Sequence, residues 1–132
     1  GRQHSAESRA LRGAFERGGD WLDQLRAYIS GNRKLVRNYI DERIPDLRLM
    51  EGKATYLLWI DAANVYKPGI NLSDFLRKET GLYLSDGEAY GTKGFLRMNV
   101  ACPRSVVEDG LRRLETGIIK YKELVKGFDE NI

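Results

Sequence analysis

The chain has 132 residues, 42% of them apolar and 31% charged, enough for one domain with a hydrophobic core and typical of soluble globular proteins. Its net charge of +3 comes entirely from residues 1–50, which carry ten basic and seven acidic side chains against twelve of each in the remainder, and the lack of a basic stripe argues against nucleic acid as the main partner. One cysteine, Cys102, and one histidine, His4, rule out an internal disulfide framework and a Cys/His zinc site, and no apolar run approaches the ~20 residues of a membrane span.

In chain order, residues 1–4 read as an unstructured end. Residues 5–17 read as a short helix with a sparse stripe of Leu11, Ala14 and Phe15, broken by Gly18-Gly19. Asp20 is a good N-cap for a helix that runs to about Arg43, with Leu22, Leu25, Ile29, Val36 and Ile40 on one face. Gly31-Asn32 weaken its middle, and Pro45 ends it. Residues 47–50 form a short strand candidate. Thr55-Tyr56-Leu57-Leu58-Trp59-Ile60-Asp61 is the strongest strand in the sequence. Its near-absence of polar alternation predicts burial on both faces, or one face against a neighbouring domain. A loop holding Lys67-Pro68-Gly69 leads to a helix capped by Asn71, with Asp74 at its third position and Gly81 as its stop.

Leu82-Tyr83-Leu84 reads as a strand, and residues 85–94 as a glycine-rich loop. Residues 94–101 form the next strand. Period-two alternation puts Leu96, Met98 and Val100 on a core side and Phe95, Arg97, Asn99 and Ala101 on the other. The last helix starts near Pro103 and carries Val107, Leu111, Leu114, Ile118, Tyr121 and Val125 along one face. Mixed helices and short strands in this order predict an α+β fold: a small, mostly antiparallel sheet packed with helices, with a long helix toward each end.

Few of the familiar chemistries fit. Gly87-Glu88-Ala89-Tyr90-Gly91 has no Lys-Ser/Thr after it and leads into a strand, so it is neither a P-loop nor a dinucleotide fingerprint. Lys93-Gly94-Phe95 matches the start of an RNA-recognition strand. The match then fails, because Leu96, Arg97 and Val100 stand where a small residue and two stacking aromatics are needed. His4 and Cys102 are too far apart in the chain to support a nucleophile pair. Asp61 is read as capping a turn. Arg97 is the residue of interest: mid-strand, it is a partly exposed sheet residue, one half of an internal ion pair, or a two-pronged grip for a carboxylate.

The blocks Trp21-Leu22-Asp23-Gln24-Leu25, Asn32-Arg33, Thr55-Tyr56-Leu57-Leu58-Trp59-Ile60-Asp61, Gly87-x-x-Tyr90-Gly91 and Phe95-Leu96-Arg97-Met98-Asn99-Val100-Ala101-Cys102-Pro103-Arg104 occur in that order. Together they resemble the C-terminal small domain of fold-type I pyridoxal-phosphate enzymes. Within the class I/II aminotransferase superfamily, the resemblance is to the cystathionine β-lyase or C–S lyase (MalY/PatB-like) branch, over about residues 10–122.

The resemblance implies a division into residues 1–19, an N-terminal segment with a bridging helix, and residues 20–132, the small domain. It implies that Arg97 binds the α-carboxylate of an amino-acid substrate, that Asn99 helps hold the guanidinium, and that Tyr90 and the 87–91 loop lie near the substrate entrance. The family usually has Pro and Ser where this chain has Asp86 and Glu88, which leaves the loop's substrate preference open. The family's imine-forming lysine and phosphate cup belong to a large domain. No lysine here stands in a Ser-x-Lys or Ser-x-x-Lys setting.

The chain is therefore expected to be part of a longer cytoplasmic enzyme, a lyase or a transaminase, that is inactive alone and binds no pyridoxal phosphate by itself. Its expected partners are the amino-acid substrate, its own large domain and a second subunit of a homodimer, with no nucleic acid and no membrane. The alternative is a free-standing, non-catalytic α+β domain that binds a small carboxylate or a protein partner.

Overall fold

A computed structural model describes residues 21–51, 56–86 and 94–130. The expected helix over 5–17, the Asp20 cap and the 87–91 loop with Tyr90 lie outside these residues.

Helix α1 (Trp21–Arg43) runs unbroken through Gly31-Asn32. Its buried face is Ile29, Asn32, Val36 and Ile40, with Leu25 partly buried against the core, so the expected stripe holds from Leu25 onward. Leu22, at 41% exposure, lies outside the core. Gly31 faces outward, and no heavy atom lies within 4 Å of a Cβ built there. The helix stops just before Ile44-Pro45, as the restriction on a residue preceding proline requires.

Strand β1 (Arg48–Glu51) pairs antiparallel with β2 (Leu57–Asp61), which pairs antiparallel with β4 (Phe95–Asn99). Strand β3 (Ser85–Asp86) adds to the free edge of β4, giving the order β1-β2-β4-β3. The strand expected at 82–84 is instead non-ladder backbone, and pairing begins only at Ser85. Leu82 is drawn into the core, where its Cδ1 lies 3.6 Å from a Cβ built at Gly110, while Tyr83 stays 78% exposed.

Helix α2 (Leu72–Thr80) begins as the sequence predicts: Asn71 Oδ1 accepts from the Asp74 N–H at 2.9 Å. It ends at Gly81, whose φ of 74° only glycine adopts without strain and whose N–H donates to the Arg77 carbonyl. Helix α3 (Arg104–Glu130) buries Val107, Gly110, Leu111, Leu114, Gly117, Ile118 and Tyr121. The two glycines were not part of the expected stripe.

Gly117 is where α2 and α3 approach most tightly. A Cβ there would overlap Leu76 Cδ2 and lie 3.4 Å from Thr80 Cγ2, and Leu76 is fully buried. Gly117→Ala is therefore expected to destabilise the fold. Overpacking costs roughly 1–3 kcal/mol and outweighs a helix-propensity gain of about 1 kcal/mol. Gly31→Ala, in open space, should keep the gain. Urea midpoints that move in opposite directions for the two variants would establish this, and a stabilised Gly117→Ala would refute it.

The architecture is α+β. One face of the sheet, carrying Leu58, Ile60, Leu96 and Met98, is buried in the core shared with the helices. The other face, carrying Leu57, Trp59, Asp61, Phe95 and Arg97, is half-buried, with Asn99 exposed. Burial of β2 on both faces is thus not what the described residues show: among them, the second face is only half-buried.

Candidate functional site

Arg97 lies at the centre of the half-buried sheet face. The registers place Trp59 directly opposite it on β2 and Ser85 opposite it on β3, with Phe95 and Asn99 as its same-face neighbours along β4. Beside it runs a groove of about 300 Å³, lined by Arg97, Asn99, Leu57, Leu84, Cys102 and Val106 among others. The groove therefore has a planar, permanently charged residue in its lining, the residue type that suits a carboxylate.

The start of β4 depends on Gly94. It is buried with φ 79°, its carbonyl accepts from the Ala62 N–H at 2.7 Å, and a Cβ would come within 3.3 Å of the Ala63 backbone. At the other end, Asn99 Oδ1 accepts from the Ala101 N–H at 2.8 Å. This short turn stops the ladder. The carboxamide oxygen is thereby engaged in shaping the strand end.

The Cys102 thiol sits at the groove edge, with Sγ 3.7 Å from the Asn99 carbonyl. Burial pushes its pKa up, so near neutral pH it stays a protonated thiol and a poor nucleophile. Asp61 does what the sequence suggests, its Oδ1 accepting from the Ala63 N–H at 2.9 Å.

Two further features were not foreseen. Asn32 lies 3% exposed on the apolar stripe of α1. Its Nδ2 donates to the carbonyls of Val100 and Cys102, both at 2.9 Å. The legible signal was a carboxamide at a core position of an otherwise apolar helix face. Separately, Tyr39 OH donates to Glu115 Oε1 at 2.5 Å and Arg43 Nε donates to Glu115 Oε2 at 3.2 Å. The Tyr39 hydrogen bond and the Arg43 charge hold the Glu115 carboxyl below its usual range. That cluster joins α1 to α3 and shares no residue with the groove.

Lys34, Lys78, Lys120, Lys122 and Lys126 are exposed, and Lys67 Nζ is 2.6 Å from Asp129 Oδ1. No group of three or more His, Cys, Asp or Glu side chains suited to a metal occurs among the described residues, and no described helix is long and apolar enough to cross a membrane.

The described residues thus build a four-stranded antiparallel sheet with two long helices and an arginine on its half-buried face. Residues 4–114 match the family model for aminotransferase class I and II, and the chain belongs to that family. It is 31% identical to cystathionine β-lyase PatB of Bacillus subtilis, over 83% of this chain and 29% of PatB. It is likewise 31% identical to the protein MalY of Escherichia coli, over 80% of this chain and 27% of MalY. Among solved structures, cystalysin of Treponema denticola, which contains a pyridoxal 5'-phosphate cofactor, superposes with a TM-score of 0.70 at 26% identity, over 80% of this chain and 27% of that one. The chain thus spans less than a third of the length of these relatives.

Proposed function

We propose that this chain is the substrate-carboxylate-binding portion of a pyridoxal-phosphate-dependent enzyme that acts on amino acids, either a C–S β-lyase or an aminotransferase. The observation that carries this reading is the position of Arg97, mid-sheet on the half-buried face and lining a groove, in a chain 31% identical to cystathionine β-lyase PatB. In this reading the Arg97 guanidinium donates two parallel hydrogen bonds to the substrate α-carboxylate. This neutralises its charge and fixes the rest of the amino acid in one orientation. Asn99, next on the same face of β4, helps hold the guanidinium, and the family resemblance adds Tyr90 to the substrate-binding residues. Partial burial of Arg97 lowers the local dielectric and strengthens the pairing.

In this reading the cofactor, its lysine and the choice between elimination and amino transfer reside in a large domain and a second subunit. The chain by itself is accordingly expected to be inert. Incubation with pyridoxal phosphate, borohydride trapping and mass spectrometry should give no stoichiometric adduct at a single lysine. The full-length gene product should trap one adduct and cleave a thioether amino acid or transfer its amino group. A single stoichiometric adduct on the isolated chain, or a full-length product without activity on any amino acid, would overturn the reading.

A further inference from the structure

We propose that Asn32 is a positioning residue for the carboxylate grip: from α1 it clamps the end of the strand that carries Arg97. The proposal rests on the Arg97 reading above. After Asn99 the ladder with β2 ends, and the chain must turn into α3 by Arg104. Val100, at its centre, is fully buried, so its backbone groups need partners. Its N–H reaches the Tyr56 carbonyl at 2.8 Å. The carbonyls of Val100 and Cys102 lie within reach of the Asn32 amide, which donates one hydrogen to each at 2.9 Å.

One helical turn earlier, Tyr28 OH accepts from the Arg104 N–H at 2.7 Å. Residues 100, 102 and 104 are thus held in alternation by a single face of α1. Lateral pairing with β2 sets the height of Arg97 in the sheet, while this clamp sets where the strand stops and how Asn99 and Cys102 enter the groove. A two-pronged grip demands accurate placement, so relaxation of the strand end by a fraction of an ångström should weaken it.

The test uses the full-length enzyme and the ratio of kcat/KM for an amino-acid substrate to that for the corresponding amine without the α-carboxylate. Asn32→Ala is expected to lower that ratio about tenfold, in the range that small misplacements produce, mainly through KM. Tyr28→Phe, which removes one acceptor and little volume, should lower it about threefold, the size of one neutral hydrogen bond. A merely structural Asn32 would reduce active enzyme equally for both substrates and leave the ratio unchanged, which would overturn the proposal. If Asn32→Ala yields no soluble enzyme, the ratio for Tyr28→Phe decides in the same way. Arg97→Lys is measured alongside. An unchanged ratio there sinks the carboxylate reading itself, whereas a collapsed ratio with Asn32→Ala and Tyr28→Phe unchanged sinks the clamp alone.

Discussion

Arg97→Lys in the full-length enzyme is expected to lower kcat/KM for amino-acid substrates at least tenfold, about 1.4 kcal/mol of binding, while sparing an amine that lacks the α-carboxylate. Lysine keeps the charge but not the planar fork, so one of two parallel hydrogen bonds is lost and the other is no longer fixed in direction. Arg97→Ala removes both. With each charge-assisted hydrogen bond worth ~1.5–3 kcal/mol, its loss should exceed a hundredfold. Steady-state kinetics on the paired substrates measures both. Equal penalties on the two substrates, or none, would make Arg97 an ordinary sheet residue.

Leu58→Ala should be strongly damaging, and its neighbour Leu57 supplies the control. Leu58 is fully buried on the core face opposite Met98, whereas Leu57 is half-buried on the other face opposite Asn99. The same chemical change should therefore cost ~2–5 kcal/mol at Leu58, through lost burial and a residual cavity. At Leu57 it should cost roughly 1 kcal/mol, since only part of that side chain leaves water. Urea unfolding of this chain gives both values from shifts in midpoint at unchanged slope. Equal losses would show that the second face is covered in this chain after all.

The expected cost at Leu57 also bears on the proposed large domain. Leu57, Trp59 and Phe95 are too apolar for a face meant to stay in water, yet the described helices all pack on the opposite side. In an intact enzyme whose remaining chain covers this face, the penalty for Leu57→Ala should rise toward that for Leu58→Ala.

Local chemistry made much of this fold legible in advance. Helix α2 begins and ends where its cap residues put it, because Asn71 and Gly81 satisfy backbone groups within a few residues of themselves. The faces of β4 follow from alternation alone, which is why Leu96, Met98 and Val100 are buried and Arg97 stands on the other side. The core stripe of α3 follows from its period of three and four. Leu82-Tyr83-Leu84 misled because its strand-like residues answer to the core rather than to a ladder: Leu82 turns in beneath Gly110 and leaves Tyr83 outside.

What the sequence determined by itself was which residues share a face, where the helices stop, and that one strand carries an arginine flanked by apolar and carboxamide neighbours. Periodicity and capping act over a few residues and can say no more than that. Only the tertiary structure decided what lies behind each face. It placed β2 and β4 at the centre of the sheet, left the second face of β2 half-buried among the described residues, and let α2 close onto Gly117. It also brought Asn32 to the carbonyls of Val100 and Cys102, 68 and 70 residues away in the chain. Such contacts are set by how elements pack in space, and a carboxamide on an apolar stripe acquires its meaning only when its distant partners are in place.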